Sequence, residues 1–289
     1  MSRRVLLMDN GSLEPASTLQ LRRLAAELEA RIGVRVDPVS LAHSAKVPAA
    51  ELEGRPAELF EAGLDRAIAE GARDIGVVPL FVGPSHAVVR HVPAVVAERV
   101  KAHADVRLQV RIAAPLFVPG ETRLAEILTD QVREEIGAWA GKTGDDIACK
   151  QAPTFRTRSR GVRVAVVDHG SPSRAVTEVR DLVAEQVRTM LGDAVEEVAA
   201  CSMERRPGDE FAFNEPLLET LLARDGWRDG PLIVALLFIG PGKHAGPDGD
   251  VAQIVRRARA ENMDTVRFTR VMGTHPRLGE ILAERVGTK

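Results

Sequence analysis

The stretch that decides the fold is Val164-Ala-Val-Val-Asp-His-Gly-Ser171, which is matched by Val5-Leu-Leu-Met-Asp-Asn-Gly-Ser12 at an offset of 159 residues. Two more matches follow in the same order, at offsets of 157 and 154 residues: 79–84 with 236–241, and 123–128 with 277–282. Three ordered matches with nearly constant offsets indicate a duplicated chain. Each copy is predicted to hold roughly 130 residues.

Each copy alternates short apolar runs with amphipathic segments. Such apolar runs predict strands that are buried on both faces, and the amphipathic segments predict helices that cover the sheet. The predicted strands are 5–8, 34–41, 74–81, 106–112, 162–167, 195–203, 231–239 and 265–271. The predicted helices are 17–32, 56–70, 91–102, 120–135, 173–191, 215–224, 251–261 and 276–286. This alternation predicts parallel pairing through right-handed crossovers, and therefore an α/β fold.

The joint between the copies is a polar segment without periodicity and rich in small residues, which is typical of a linker. The predicted organisation is an N-terminal repeat (1–136), a linker (137–160) and a C-terminal repeat (161–289). Because a duplicated chain can form a two-half cleft by itself, the sequence is compatible with a monomer as well as a homodimer.

The composition argues against several classes of partner. The 289 residues include 28% charged and 45% hydrophobic residues, with a formal net charge of −2. A near-neutral chain lacks the basic field that binding to nucleic acid needs. The longest apolar runs are far shorter than the roughly 20 residues that cross a bilayer, and the N-terminus lacks a signal-peptide pattern. We therefore expect a cytoplasmic protein without a membrane or nucleic-acid partner.

The sequence also argues against two kinds of cofactor. Cys149 and Cys201 are too few for a disulfide framework, and they make an iron–sulfur cluster an unexpected cofactor. The chain contains no Gly-x-x-x-x-Gly-Lys-Ser/Thr loop, so that no nucleotide is expected.

Two histidines follow apolar strands of the second copy. His169 lies in Asp168-His-Gly-Ser171, and His244 ends the loop Gly240-Pro-Gly-Lys-His244. Because the carboxyl ends of parallel strands meet at one edge of a sheet, we expect both imidazoles in one cleft, with Glu204 from a third strand end. This set suits a borderline divalent metal such as Co, Fe, Ni or Zn. A single His at a strand end is more often a capped surface residue, but two in matching glycine loops favour a functional role.

The same residues resemble a known family. Asp168-His-Gly-Ser171, then Met203-Glu204, then Leu237-Phe-Ile-Gly-Pro-Gly-Lys-His244 with Asp248 and Val251, is similar to the class II chelatases of the sirohydrochlorin cobaltochelatase or ferrochelatase type (CbiX/SirB-like). The resemblance spans both copies, as in the two-repeat long forms. It implies two tandem flavodoxin-like, three-layer domains, each with a four-stranded parallel sheet, that face each other across a cleft.

The resemblance implies ATP-independent insertion of Co2+ or Fe2+ into sirohydrochlorin, in cobalamin or siroheme biosynthesis. His169, His244 and Glu204 would be the metal ligands and the catalytic groups. The substrate is rich in carboxylates, so the rim of the site is expected to be basic. The substrate-binding candidates are Ser171, Arg174, Arg205, Lys243, His86 and Arg90, with Arg206, Lys46 and His91 as further basic groups. Each of these charges, taken singly, is more often a solvated surface group, and Ser171 is better explained as a helix cap than as a nucleophile.

The two copies are unequal at these positions. Asn10 stands where the second copy has His169, and Ala42 stands where it has Glu204, although His43 is next to it. Asn is a poor ligand for a borderline metal, so the second copy is predicted to carry the chemistry and the first to form part of the cleft wall. Whether the first copy adds a ligand through His86 or His43 stays open at this stage.

Three other functions are compatible with the same residues. One is a non-catalytic carrier of a metal or a tetrapyrrole, which needs the His pair but no base. Another is a chelatase for a different porphyrin. The third is a regulatory or scaffold protein with a decayed first half.

Overall fold

The computed structural model describes residues 2–104, 107–141 and 161–287. The first copy contains β1 (Ser2–Asp9), α1 (Pro15–Ile32), β2 (Val36–Ser40), α2 (Phe60–Ala69), β3 (Ala72–Pro79), α3 (Val92–Ala102), β4 (Gln109–Ile112) and α4 (Arg123–Gly141). The second copy contains β5 (Arg163–Asp168), α5 (Arg174–Leu191), β6 (Glu197–Ser202), α6 (Leu218–Leu222), β7 (Leu232–Leu236), α7 (Asp250–Ala258), β8 (Val266–Phe268) and α8 (Pro276–Gly287).

The strands form two four-stranded parallel sheets, with the orders β2-β1-β3-β4 and β6-β5-β7-β8. The identical order in both sheets confirms the predicted α/β fold with helices on both faces. The central strands β5 and β7 contain continuous apolar runs, 164–167 and 232–236, whose residues are almost completely buried. Parallel strands with both faces covered need such a composition, because neither side of the sheet meets water.

The compact units do not coincide with the sequence repeats. The first unit contains the described residues up to 121, together with 239–243 and 275–287. The second unit contains 122–141, 161–238 and 244–274. Each copy therefore gives its last helix to the sheet of the other copy: α8 packs on α1 and β3, and α4 packs on α5 and β7. The division predicted at 137–160 describes the order along the chain, whereas the packing exchanges the terminal helices.

Polar contacts hold each exchanged helix in its unit. In the second unit, Arg133 of α4 donates to the Met190 carbonyl at 2.8 Å, and the Arg267 guanidinium lies 4.9 Å from the ring centre of Trp139. In the first unit, Arg285 of α8 is almost completely buried and donates to two backbone carbonyls and to the Glu121 carboxylate at 2.7 Å.

Several predicted boundaries differ from the structure. The helices predicted at 56–70 and 215–224 begin only at Phe60 and Leu218, since the residue before each is extended and bridges to the end of the neighbouring strand. Helix α4 continues past 135 to Gly141, so the predicted linker begins inside a helix. The rest of that linker, 142–160, and Cys149 within it lie outside the described residues. None of the described helices has the length and apolar character of a membrane span.

Candidate metal centre

The turn that presents His169 depends on the glycine that follows it. Gly170 has φ +89°, a conformation that residues with a side chain rarely adopt. A Cβ atom at this position would lie 1.9 Å from the backbone oxygen of Glu204. The end of β5 and the end of β6 therefore approach each other closely enough only because residue 170 is glycine, and this approach places Glu204 beside His169.

The hydrogen bonds of His169 define which ring nitrogen is available. Its Nδ1 lies 3.0 Å from the carbonyl oxygen of Gly170. A carbonyl oxygen can only accept, so Nδ1 carries the hydrogen and the neutral ring keeps its lone pair on Nε2. That Nε2 lies 3.5 Å from Oε1 of Glu204. A lone pair and a carboxylate that face each other repel unless a cation or a proton lies between them.

His244 is oriented by a carboxylate that belongs to the next helix. Its Nδ1 lies 2.7 Å from Oδ2 of Asp250, the first residue of α7, and its backbone carbonyl accepts from the N–H of Val251. Donation of Nδ1–H to a carboxylate leaves Nε2 as the free ligand atom and increases its basicity. Metal-binding histidines ordinarily donate their other ring N–H to a carboxylate or a carbonyl in this way.

The two imidazoles meet edge to face. Their ring centres are 4.6 Å apart at an angle of 72°. The His169 side chain is 47% exposed and the His244 side chain 31% exposed, so solutes can reach the pair. Within the described ranges, no three His, Cys, Asp or Glu side chains form a closed ligand group. The geometry thus offers two imidazoles with Glu204 beside one of them. Such an open arrangement would leave part of the coordination sphere of a bound ion to solvent or substrate.

A buried polar network supports the His169 loop from below. Oδ1 of Asp168 accepts from the Ser202 hydroxyl at 2.6 Å and from the backbone N–H of Gly170 at 3.0 Å. The fully buried Arg180 donates to the Ser202 hydroxyl and supplies a positive charge near this carboxylate. Burial raises the pKa of Asp168, while Ser202 and Arg180 oppose that rise. The network fixes the last residue of β5, and with it the direction in which His169 leaves the strand.

Asn214 holds the same loop from the other side. Its Oδ1 accepts from the backbone N–H of Ser171 at 2.9 Å, and its Nδ2 donates to the Ser171 carbonyl at 2.9 Å. The side chain is completely buried and also accepts from the Thr177 hydroxyl. An amide that satisfies both backbone groups of one residue acts as a clamp on the turn after His169.

Sequence reasoning missed two positioning residues of this site. It singled out Asp248, which instead binds Arg256 at 2.9 Å and is largely exposed. The carboxylate on His244 is that of Asp250, and its signal was its position immediately before Val251 at the start of a helix. Asn214 carried no recognisable signal, because its role depends on a loop 43 residues away from Ser171 in the chain.

The predicted substrate-binding residues are divided between the two units. Ser171, Arg174 and Arg205 belong to the unit that holds the His pair, and Lys243, His86 and Arg90 belong to the other. The Ser171 hydroxyl accepts from the N–H of Ser173, which makes a turn before the helix; the N-cap of α5 is Ser173, without a side-chain capping hydrogen bond, so the predicted cap at Ser171 is not formed. Arg174 lies 4.7 Å above the Phe213 ring, and Arg205 is bound to the Glu215 carboxylate at 2.8 Å. The assignment of these six residues to substrate binding stays a prediction.

The corresponding edge of the first unit has a different character. His43 has φ 63° and ψ −47°, and the N–H of Ser44 donates to the Ala42 carbonyl at 2.7 Å. These values define the rare, strained form of the γ-turn. His86 directly precedes a π-helical turn, Ala87–His91, which contains Arg90. The first copy thus keeps imidazoles near its strand ends but lacks the Asp168–Arg180 network that supports His169.

The loss of that network leaves a buried carboxylate in the first unit. At the position of Arg180 the first copy has Leu21, and Oδ1 of Asp9 has no hydrogen-bond partner among the described residues. Burial raises the pKa of Asp9 to about 6, although Ser40 and the backbone N–H of Gly11 oppose the rise. The folded state therefore binds a proton more tightly than the unfolded chain, whose Asp has a pKa of about 3.9.

We expect Asp9→Asn to stabilise the protein at neutral pH. The contribution of Asp9 to the free energy of unfolding is fully present below about pH 4 and decreases by up to about 3 kcal/mol as the pH rises through 6. The amide carries no charge to desolvate, so the variant should gain about 1–2 kcal/mol over the wild type at pH 7.5 and nearly nothing at pH 4.5. Urea unfolding followed by far-ultraviolet circular dichroism at both pH values measures this difference.

Asp168→Asn is the matched control in the second unit. Burial raises the pKa of Asp168 as well, but Ser202 and Arg180 oppose that rise, so we expect Asp168→Asn to change the stability at pH 7.5 less than Asp9→Asn does. A loss of stability in Asp9→Asn at pH 7.5 would show that the folded protein stabilises the charged form of Asp9, and would contradict this prediction.

The fold and the site together define the class: a duplicated α/β protein with an open, two-histidine centre at the carboxyl edge of one sheet. The sequence profile of the CbiX family matches residues 4–135 and 163–289, which covers both copies. The chain belongs to the CbiX family.

Solved structures show the same fold over nearly the whole chain. SirB from Bacillus subtilis with Fe3+ has a TM-score of 0.67 at 17% identity, over 99% of this chain and 95% of that one. The SirB chelatase of Bacillus subtilis subspecies spizizenii in complex with cobalt has a TM-score of 0.68 at 14% identity, over 99% and 94%. CbiX, described as the terminal enzyme of siroheme biosynthesis in denitrifying bacteria, has a TM-score of 0.57 at 18% identity, over 99% and 98%. No curated protein matches the sequence significantly.

Proposed function

We propose that this protein inserts Co2+ or Fe2+ into sirohydrochlorin without nucleotide hydrolysis. The observation that carries the proposal is the pair His169 and His244, whose rings meet at 4.6 Å while backbone and carboxylate acceptors occupy both Nδ1 atoms. Each ring then keeps its Nε2 lone pair as a possible metal ligand. Membership of the CbiX family and the fold shared with SirB structures that contain Fe3+ or cobalt support the choice of reaction.

The reaction requires a metal that is bound and then released. Two neutral imidazoles bind Co2+ and Fe2+ but exchange them, whereas thiolates would hold softer metals firmly. The only described cysteine, Cys201, is completely buried, and burial raises the pKa of its thiol, so it offers no competing thiolate. The partial exposure of both imidazoles allows the ion to pass from the protein to the macrocycle.

The reaction also requires a group that takes protons from the pyrrole nitrogens. Glu204 is exposed on its side chain and lies 3.5 Å from Nε2 of His169, so its carboxylate borders the position of the ion. A base next to the metal can accept a proton as each pyrrole nitrogen turns toward the ion. Arg174, whose guanidinium stacks on Phe213 in the same unit as the His pair, is a candidate for binding a substrate carboxylate.

A spectral assay tests the proposed function. Purified protein is mixed with sirohydrochlorin and with Co2+, Fe2+, Ni2+ or Zn2+ in turn, and the change of the macrocycle absorption is followed against the spontaneous reaction. We expect faster insertion of Co2+ or Fe2+ than in the protein-free control. Rates equal to the control with all four metals would contradict the proposal, and acceleration with protoporphyrin or coproporphyrin alone would favour a chelatase of another porphyrin.

Glu204→Gln separates a chelatase from a carrier. The amide keeps the size of the side chain but cannot accept a proton, so we expect the insertion rate to fall about 100-fold while the binding of Co2+ and of sirohydrochlorin stays within about threefold. Equilibrium titration of each ligand and the spectral assay measure the two effects. Unchanged insertion in Glu204→Gln would remove this residue from the chemistry.

A further inference from the structure

The first unit contains a cavity of about 750 Å³ between α1, β2 and α2. Its wall combines apolar side chains, among them Leu21, Leu59 and Ala62, with the hydroxyl-bearing Thr18 and several arginines. A volume of this size is typical of small-molecule sites, and about half of the lining residues are polar or charged. The cavity belongs to the first unit, whereas His169 and His244 belong to the second.

The second copy shows what fills the equivalent space. There the Thr177 hydroxyl donates to Oδ1 of Asn214, and Arg180 binds the Ser202 hydroxyl and the Asn214 carbonyl. At the offset of 159 residues, the first copy has Thr18 and Leu21 in place of Thr177 and Arg180.

The loop position of Asn214 is also changed in the first copy. The bridges Ser40–Leu59 and Ser202–Leu217 align the two loops, and they place Pro56 where the second copy has Asn214. A shorter side chain on the helix and a proline in the loop leave the space open.

Thr18 is the buried polar group that this change leaves without a partner. Its side chain lines the cavity, the residue is only 4% exposed, and Oγ1 makes no hydrogen bond among the described residues. An unsatisfied buried hydroxyl costs free energy, and native proteins rarely keep one unless water or a ligand completes it. The hydroxyl can donate to an oxygen atom of a ligand in the cavity.

The charge balance of the wall indicates the sign of that ligand. The carboxylates of Glu58 and Glu70 are already bound by arginines. Among the described residues, Arg22 donates to three backbone carbonyls and to no carboxylate, and it lies close enough to Arg55 for the two charges to repel. Burial and this repulsion lower the pKa of Arg22, and the negative charge of Glu53 opposes that change only in part. Arg55 is 69% exposed and has a single ion pair, with Glu53 at 3.4 Å. A negative group at the mouth would relieve the repulsion.

We propose that this cavity binds a small organic carboxylate with an apolar body. The carboxylate pairs with Arg55 at the mouth and balances the charge of Arg22. The apolar body packs on Leu21, Leu59 and Ala62, and an oxygen atom of the ligand accepts a hydrogen bond from the Thr18 hydroxyl. The site is separate from the His169–His244 centre, so ligand binding there does not depend on the proposed metal insertion.

The test uses 4-acetylbenzoate as a probe on the full chain, with 4-acetylbenzamide as its neutral counterpart, by ligand-observed NMR titration. We expect saturable binding of the carboxylate with a Kd below about 10 mM and at least tenfold weaker binding of the amide. Arg55→Glu should lower the affinity for 4-acetylbenzoate at least about tenfold, whereas Arg228→Glu, at an exposed position of the other unit, should not change this affinity. His169→Ala should also leave it unchanged, which separates this site from the metal centre.

Thr18→Val supplies an independent check. Because valine has the same shape and no hydroxyl, the variant should bind 4-acetylbenzoate about fivefold more weakly yet be at least as stable as the wild type without a ligand. Equal affinity for the acid and the amide, no saturation up to about 10 mM, or full affinity in Arg55→Glu would each overturn the proposal.

Discussion

Replacement of His169 or His244 by alanine is expected to lower the rate of metal insertion at least about 100-fold, and to weaken Co2+ binding by a similar factor. Each substitution removes one of the two Nε2 atoms that the structure leaves available. The remaining imidazole cannot hold the ion in a fixed position next to Glu204. The spectral assay with sirohydrochlorin gives the rate, and the visible absorption of bound Co2+ gives the affinity.

Two further variants make this experiment specific. His103→Ala removes a histidine at the end of α3 and should leave both quantities unchanged. Asp250→Asn keeps both imidazoles but weakens the hydrogen-bond acceptor of His244. It should lower the insertion rate and the Co2+ affinity about 10-fold, which is less than the loss of the ring itself causes. Wild-type rates in both His169→Ala and His244→Ala would show that the metal is handled elsewhere in the chain.

Leu282→Ala in the last helix is expected to destabilise the first unit, although residue 282 belongs to the second copy. The side chain is completely buried in α8, which packs on α1 and β3. Its truncation should cost about 2–5 kcal/mol. The matched variant is Leu128→Ala, the repeat counterpart in α4, which is equally buried but should destabilise the second unit by a similar amount.

Hydrogen exchange measured by mass spectrometry distinguishes the two units. Leu282→Ala should speed exchange in β1 and β3, and Leu128→Ala should speed it in β5 and β7. The intrinsic fluorescence gives a second signal, because both tryptophans of the chain, Trp139 and Trp227, belong to the second unit. Faster exchange of β5 and β7 in Leu282→Ala would mean that each helix stays with its own copy.

The fold class could be predicted because its determinants are local and repeated. Two apolar strands that end in Asp-x-Gly-Ser, and the same order of matches in each copy, were enough to predict two parallel sheets. The exchange of the terminal helices could not be predicted. Both α4 and α8 present the same kind of apolar face, so periodicity shows that each helix packs on a sheet but not on which of two similar sheets.

The candidate site could also be predicted only in part. Strand ends adjacent in a parallel sheet must share an edge, so the meeting of His169, His244 and Glu204 could be anticipated from topology. The groups that orient them could not. Asn214 and Arg180 act through contacts that depend on side-chain burial and loop paths, which leave no periodic or motif-like trace in the sequence.

The trade of end helices has a genetic consequence. Deletion of the gene segment for either half would remove a helix from the core that the other half forms. The last helix completes the core of the first unit with Leu278, Ile281 and Leu282, and α4 completes that of the second unit with Leu124, Ile127 and Leu128. Neither half is therefore expected to be stable in the absence of the other, whichever residues it carries at its own strand ends.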